Sequence, residues 1–509
     1  MAHDESIAEF NRRTARALAG GGPERNARRK TQGLMTARER IAAFLDHGSE
    51  HEVGRFAVSA NPDDRENTPQ DGQLHSFGTV DGRPVAVGAN DLTVKSASSA
   101  EINSKKATWL LKAAIRSGMP LVHLGACGGA RMPDAIGARG MGMFGIEFQF
   151  DRRRQIPMIS GIADPSFGGS FWMACRSDLV VMKKGAIMAV ASPKVNRVAI
   201  SEASDWQEIG GWEMHSEVTG LCDMAVDTEE EMLAAIRRYL SYLPSHQNEA
   251  PPIAAVPTGS GDDAASLLDI VPESRAKVYD VRRVIRAVVD KDSFFPIRER
   301  WGRSVVTGLA RIDGHAVAIA ACNPLHKGGS QDADSSDKWT NLIVLADSFN
   351  LPIVMFADTP GFLIGVDGER QKVGARIMNN MQALELTTVP KIGVILRKSY
   401  GQAYVNWGGG QTDELAAWFS ADIGFVDPAV GVSVVHNLRF EDDPERYRRL
   451  EAEMKRGNSA YDLAGGFYAQ QVIDPRHTRE YLVRALAVHS RRRTGGVGQH
   501  LMATWPRVT

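Results

Sequence analysis

The sequence predicts an α/β protein in which one unit is used twice. Two observations carry this. From Leu74 to Leu243, short runs of Val, Ile, Leu, Ala and Met alternate with longer stretches of helical character. Such alternation implies parallel strands with helices laid on the sheet. The chain also repeats itself. Asp81-Gly82-Arg83-Pro84-Val85-Ala86-Val87 returns as Asp313-Gly314-His315-Ala316-Val317-Ala318-Ile319, and Met119-Pro120-Leu121-Val122 as Leu351-Pro352-Ile353-Val354, both at an offset of 232 (313 − 81 and 351 − 119). Pro157, Ser166, Gly168 and Phe171 are answered by Pro390, Ser399, Gly401 and Tyr404 at 233 (390 − 157). Ordered blocks at a nearly constant offset mark an internal duplication.

The elements follow in order. Residues 1–50 read as charged helices, with Thr36 and Glu39 spaced as a capping box. The polar stretch Asn61 to Gly72 reads as a surface loop. Strands are expected at His75–Val80, Val85–Ala89, Leu121–Leu124, 156–163, 179–182 and 187–190, and helices at Ala100–Ser117, 135–150 and 168–176, with a turn at Asp164-Pro165. Pro251 to Asp263 is rich in Pro, Gly and Ala and separates helix 229–243 from helix 277–290. This gives an N-terminal domain over 1–250, a linker over 251–276 and a C-terminal domain over 277–509. The tail from Pro444 to Arg493 reads as charged helix broken near Gly465-Gly466. The runs Arg152–Arg154 and Arg491–Arg493 read as solvated helix faces.

Composition narrows the function. At 509 residues there is room for two large cores, and a net charge of −1 gives no reason to expect nucleic acid. The four cysteines are far apart and form no CxxC pair, which excludes a zinc ribbon or disulfide framework and fits a reducing cytoplasm. No metal site is expected. No run of about 18 apolar residues suggests a membrane helix, and the acids among the N-terminal arginines argue against a transit peptide.

The chemistry is expected where each copy turns from strand into helix. Gly168-Gly169 precedes a helix of small and aromatic residues, and Gly401 holds the matching place. Glycine lets a ligand approach the backbone, and the first amides of a helix are unpaired and lie at its positive end. Two such N–H groups aimed at one point can hold an oxygen that gains negative charge.

These halves resemble the carboxyltransferase subunit of biotin-dependent acyl-CoA carboxylases, the propionyl-CoA carboxylase β type. The segments that carry the match are Gly128-Gly129-Ala130-Arg131, Asp347 to Pro352, Asp358-Thr359-Pro360-Gly361-Phe362, Val389-Pro390 with Arg397-Lys398-Ser399-Tyr400-Gly401, and Val472-Ile473-Asp474-Pro475-Arg476. They span about residues 30 to 490. The resemblance implies two crotonase-like (ClpP-like) β-β-α superhelical domains, acyl-CoA held by the first and biotin by the second. It also implies active sites between protomers of a homo-oligomer, commonly a hexamer built as a trimer of dimers. Carboxybiotin would supply the carboxyl group, and the protein orientation and electrostatics.

By motif, Gly168 and Gly169 would form the enolate hole and Gly128, Gly129 and Ala130 the adjacent acyl-CoA wall. Gln402 and Ala403 would form the biotin-side hole, with Gly361, Phe362, Tyr400 and Gly401 around it. Asp413 would influence acyl-chain choice or, read by itself, cap a helix. Gln402 replaces a family glycine, and a turn needing φ > 0 there would strain it. Other departures are Lys95-Ser96-Ala97-Ser98, His326-Lys327, Trp418-Phe419, Val426-Asp427-Pro428 and Asp164 to Phe167. With no Ala-Met-Lys-Met site and no ATP loop, a separate biotin carboxylase and carrier subunit is expected. The alternatives are a biotin-independent decarboxylase acting on a carboxyacyl thioester and a non-catalytic acyl-CoA-binding subunit.

Overall fold

A computed structural model describes residues 3–142 and 153–507. The chain divides into two compact units, Met1–Asn248 and Glu249–Thr509. In the first, strands β1 (His51–Val53), β2 (Gln73–Val80), β3 (Arg83–Asn90), β4 (Leu121–Gly128), β5 (Met158–Phe167), β6 (Leu179–Lys183) and β8 (Met224–Val226) lie side by side in that order, with β7 (Met188–Ala189) on the end of β5. The second unit repeats this order with β9 (Phe295–Ile297), β10 (Val305–Ile312), β11 (His315–Cys322), β12 (Ile353–Thr359), β13 (Lys391–Tyr400), β14 (Glu414–Trp418) and β16 (Gln471–Ile473), and β15 (Asp422–Gly424) on the end of β13. In each, a hairpin (β2–β3, β10–β11) opens a parallel run.

The duplication extends to irregularities. The β4–β5 register slips between Gly125 and Cys127, and the β12–β13 register slips between Ala357 and Thr359, again 232 residues on (357 − 125). Such bulges bend a strand and re-aim the residues beyond it. Here they precede the turn into a helix: α2 (Gly169–Arg176) after β5 and α4 (Gln402–Asn406) after β13. Helix α1 (Glu101–Ser117) covers one face of the first sheet, and α3 (Ala333–Ser348) is its counterpart. Leu110, Leu111 and Ala114 of α1 pack on Ala86, Leu121 and Met158. A large core of the second unit places Val284, Ile285 and Val288 against Val317, Ile319, Val354, Ile392 and Leu482, all buried. A fully buried aliphatic chain of this size contributes about 1.5–3 kcal/mol.

Several expectations need correction. There is no turn at Asp164-Pro165, because β5 runs on to Phe167 through the bulge. The polar stretch before β2 is not all surface. It forms short helical turns, and Pro69, Gln70, Asp71 and Gly72 are buried. Within the stretch read as linker, Leu267 and Ile270 are buried in the second unit's core. Arg154 is no solvated residue but pairs with buried Asp178 at 3.1 Å. The expected helix 135–150 is described only to Gly142, as two short helices from Met132 to Ala135 and from Gly137; its remainder and Arg152 lie outside the described residues. The capping box at Thr36 and Glu39 is formed as expected. No described helix is long and apolar enough to cross a membrane.

Candidate active site

In the first unit, the ladder pairs Cys127 with Ser166 and Gly128 with Phe167, which sets the Gly128-Gly129-Ala130 turn beside the Gly168-Gly169 turn. Ser99 joins them. It forms a parallel bridge with Ala130, and a Cβ on Gly169 would stand 3.0 Å from its hydroxyl. Gly129 (φ +108) and Gly168 (φ +58) hold left-handed conformations that favour glycine. The Gly129 amide donates to Cys127 Sγ at 3.3 Å.

The two glycines of the second turn are not equivalent. The Gly168 amide donates to Ala189 O at 3.3 Å and so is not available to a ligand, contrary to the sequence expectation that both amides face the site. Among the described residues, the amides of Gly169 and Ala130 have no acceptor.

The second unit repeats this arrangement. Gln331, 232 residues after Ser99, forms the parallel bridge with Phe362, and its side-chain oxygen accepts from Trp407 Nε1 at 3.2 Å. Gly361 (φ +135) donates to Thr359 Oγ1 at 3.1 Å, and Gly401 (φ +61) to Gly424 O at 3.0 Å. The amides of Phe362, Gln402 and Ala403 have no acceptor among the described residues. Positive φ falls on Gly401 and not on Gln402, so the residue that replaces the family glycine is unstrained. The exposed Gln402 side chain leans onto Met381, Nε2 to Sδ at 3.5 Å.

Tyr400 lies buried below this turn, and its hydroxyl accepts from Arg275 at 2.7 Å. Asp413 is not brought here. It sits at the opposite end of β13, where the Lys391 amide donates to it at 2.8 Å and Arg492 pairs with it at 2.9 Å. It caps no helix either, since β14 begins at the next residue.

Each unit buries an aspartate beside its bulge. Asp358, fully buried, accepts from Tyr279 OH at 2.7 Å and Arg397 Nε at 3.0 Å. Burial, and then the Asp358 carboxylate, hold the Tyr279 hydroxyl well above its usual range. In the first unit the acid sits on the other strand: Asp164 meets Arg29 at 2.9 Å and Arg40 at 2.7 Å. Burial pushes its carboxyl up, but the two guanidiniums outweigh that and the net direction is down.

Sequence reasoning missed several residues. Asp71, fully buried, holds Arg131 of the Gly-Gly-Ala-Arg turn at 2.6 Å, and burial raises its carboxyl. Ser99 and Gln331 lie at the same repeat offset as the predicted glycines, and that offset is the signal that could have found them. His75 and His123 line a cavity of about 50 Å³ with Gly169, Ser170, Ser99 and Ser104. Burial pushes His123 down to about 4, and burial, with the charges of Lys106 and His123, holds His75 well below its usual range.

Comparison with known proteins shows the family and the fold. The pattern of the carboxyl transferase domain matches residues 28–497. A propionyl-CoA carboxylase carboxyltransferase subunit of Haloferax mediterranei is 34% identical over 96% of this chain and 96% of its own. The α subunit of a methylmalonyl-CoA decarboxylase of Veillonella parvula is 31% identical over 96% of each. The solved hexamer assembly of transcarboxylase 12S, with methylmalonyl-coenzyme A bound, superimposes with a TM-score of 0.89 at 30% identity, over 96% of this chain and 95% of that one.

Proposed function

The chain belongs to the carboxyl transferase domain family, and from that premise we propose how its two units share one reaction. The protein is an acyl-CoA carboxyltransferase subunit. In our reading, the first unit holds the acyl thioester and the second holds biotin brought by a separate carrier subunit. The observation that carries this reading is the repeated turn: in each unit a strand ends on a positive-φ glycine and opens a helix whose first amide is unclaimed.

The residues of the second unit fit a ureido ring. A Cβ on Gly361 would meet no heavy atom within 4 Å, the Gln402 side chain leans away, and the amides of Gln402 and Ala403 lack acceptors. Gln402 and Ala403 would hold the ring oxygen, with Phe362, Tyr400 and Gly401 shaping the wall. When bound, the cofactor supplies the carboxyl group and the base for the α-proton.

In the first unit, the Gly169 and Ala130 amides would face the thioester oxygen and hold the charge it gains as the α-carbon becomes an enolate. Gly168 forces the turn, and Gly128 and Gly129 leave the approach open. One such donor, fixed before reaction, is worth about 10²–10³ in rate. Orientation is the other contribution, since the enolate and the incoming carboxyl group must meet in line. A homo-oligomer, as in the 12S assembly, would let the acyl unit of one protomer face the biotin unit of another.

The reading is tested by incubating the protein with methylmalonyl-CoA or malonyl-CoA, with and without free biotin, and following loss of the carboxylate by mass spectrometry. Biotin-dependent decarboxylation is expected. Equal rates without biotin would overturn the cofactor assignment.

A further inference from the structure

The first unit carries a row of polar side chains across its sheet that the second lacks. The ladder sets His75 opposite Gly88, Gly88 opposite His123 and His123 opposite Ser160. The same registers in the second unit hold Thr307, Ala320, Met355 and Gly393, and Met355 is fully buried. Gly88 makes room, since a Cβ there would stand 3.3 Å from the His75 ring. The row borders the cavity that Gly169 and Ser99 also line.

The cavity's polar groups fall into two sets. Asn103 is fully used: its oxygen accepts from the Ala100 amide, and its nitrogen donates to Asp71 O and Ser98 O. Asn90 donates to Ala126 O. His123 Nδ1 lies 3.4 Å from Ser160 Oγ, which also contacts Ser177 Oγ at 2.7 Å. By contrast, both ring nitrogens of His75, the Nε2 of His123 and the Ser104 hydroxyl have no protein partner among the described residues and belong to side chains that line the cavity. Water in the cavity can serve such groups, and a ligand that displaces it loses affinity unless it returns those bonds. Lys106, the nearby cation, is bound to Gln70 O and Gln73 O. With both histidines pushed down, they are neutral at pH 7.

We propose that this cavity is an acyl-group subsite selecting thioesters whose acyl chain bears a neutral hydrogen-bonding oxygen, a hydroxyl or keto group one or two carbons beyond the α-carbon. The assignment rests on the reading that Gly169 serves the thioester. A neutral imidazole offers one donor and one acceptor, which a hydroxyl can match on both counts. With about 50 Å³, and 10–15 Å³ needed per water-sized group, the space suits roughly three to five non-hydrogen atoms. A plain alkyl chain would fill the volume but leave the histidines unpaired, and sites built to bond a substrate hydroxyl reject analogues that lack it.

The test is equilibrium binding of 3-hydroxybutyryl-CoA and butyryl-CoA to the full-length protein by titration calorimetry. The hydroxyacyl thioester is expected to bind about ten- to a hundredfold more tightly. His123→Met, which installs the second unit's residue, and His75→Leu are expected to reduce that ratio to about twofold or less. They should do so by weakening the hydroxyacyl ligand alone, with an unchanged affinity for butyryl-CoA as the sign that the site is still folded. Equal affinities in the unaltered protein, or a preference that survives both substitutions, would overturn the subsite. Binding of neither thioester would overturn the acyl-CoA reading of the first unit as well.

Discussion

The two units share strand order, bulge position and the glycine turn into a helix, yet they differ beneath that turn. In the first, the sheet below Gly169 is hollow and lined by His75 and His123. In the second, the same registers are closed by Thr307 and Met355. The first unit opens its helix on a bare Gly169, the second on Gln402 with its side chain folded onto Met381. In our reading, duplication supplied two turns able to hold an oxyanion, and the side chains around them would suit each to a different guest. The backbone amide is common to both, so its presence says little about which ligand it meets. The packing below it says more.

The buried acids give the largest expected contrast. Removing one partner of a buried pair leaves an uncompensated charge and costs about 3–5 kcal/mol. Asp164→Ala strands Arg29 and weakens Arg40, so it should fall at the upper end and loosen the helices Pro23–Thr31 and Ala37–Phe44 from β5. Asp358→Ala removes the carboxylate that serves Arg397, Lys398 and the Tyr279 hydroxyl, but Arg397 keeps the carbonyls of Pro272, Ser274 and Lys277, so it should cost less. Urea unfolding of both variants measures the order, and equal losses would mean that the two pairs are equivalent.

Acid sensitivity should also divide the units. His123 is held down to about 4 by burial, below its unfolded value near 6.5. Between those values the unfolded chain binds more protons, so stability is full above about pH 6.5 and falls as pH drops toward 4. His123→Met should flatten that part of the urea-midpoint profile. An unchanged slope would show that the imidazole is not shielded as described. The smallest effect is expected at Gln402. With its side chain outside the turn, Gln402→Ala should leave kcat and the KM for biotin within about twofold, in line with an exposed side chain away from special features.

Much of this is legible in one sequence. The offsets of 232 and 233 locate the duplication, and Gly168 and Gly401 read as turn formers because only their place between strand and helix explains a repeated glycine. Both do hold positive φ. Three features are hidden. Gly168 donates its amide to Ala189, which depends on where the short strand β7 lands. Asp71 looks like loop because its neighbours are polar, and its partners, Arg131 and the Asn103 amide, explain its burial. His75 and His123 are 48 residues apart (123 − 75) and meet across Gly88 only through the register of three strands, which periodicity does not encode. Asp413 misleads for the converse reason: it is close in sequence to Gly401, but ten residues of strand separate the ends of β13 they occupy.

The division of labour is tested most directly with two proline substitutions. Proline is tolerated at the first position of a helix and removes the amide hydrogen there. Gly169→Pro should lower kcat/KM for malonyl-CoA decarboxylation by about 10²–10³ relative to Gly169→Ala, which crowds Ser99 in the same way but keeps the amide, and leave the KM for free biotin unchanged. Gln402→Pro should raise the KM for biotin and leave the affinity for the acyl-CoA as it was. The same response from both variants, or the reverse pairing, would contradict the assignment of the acyl thioester to the first unit and biotin to the second.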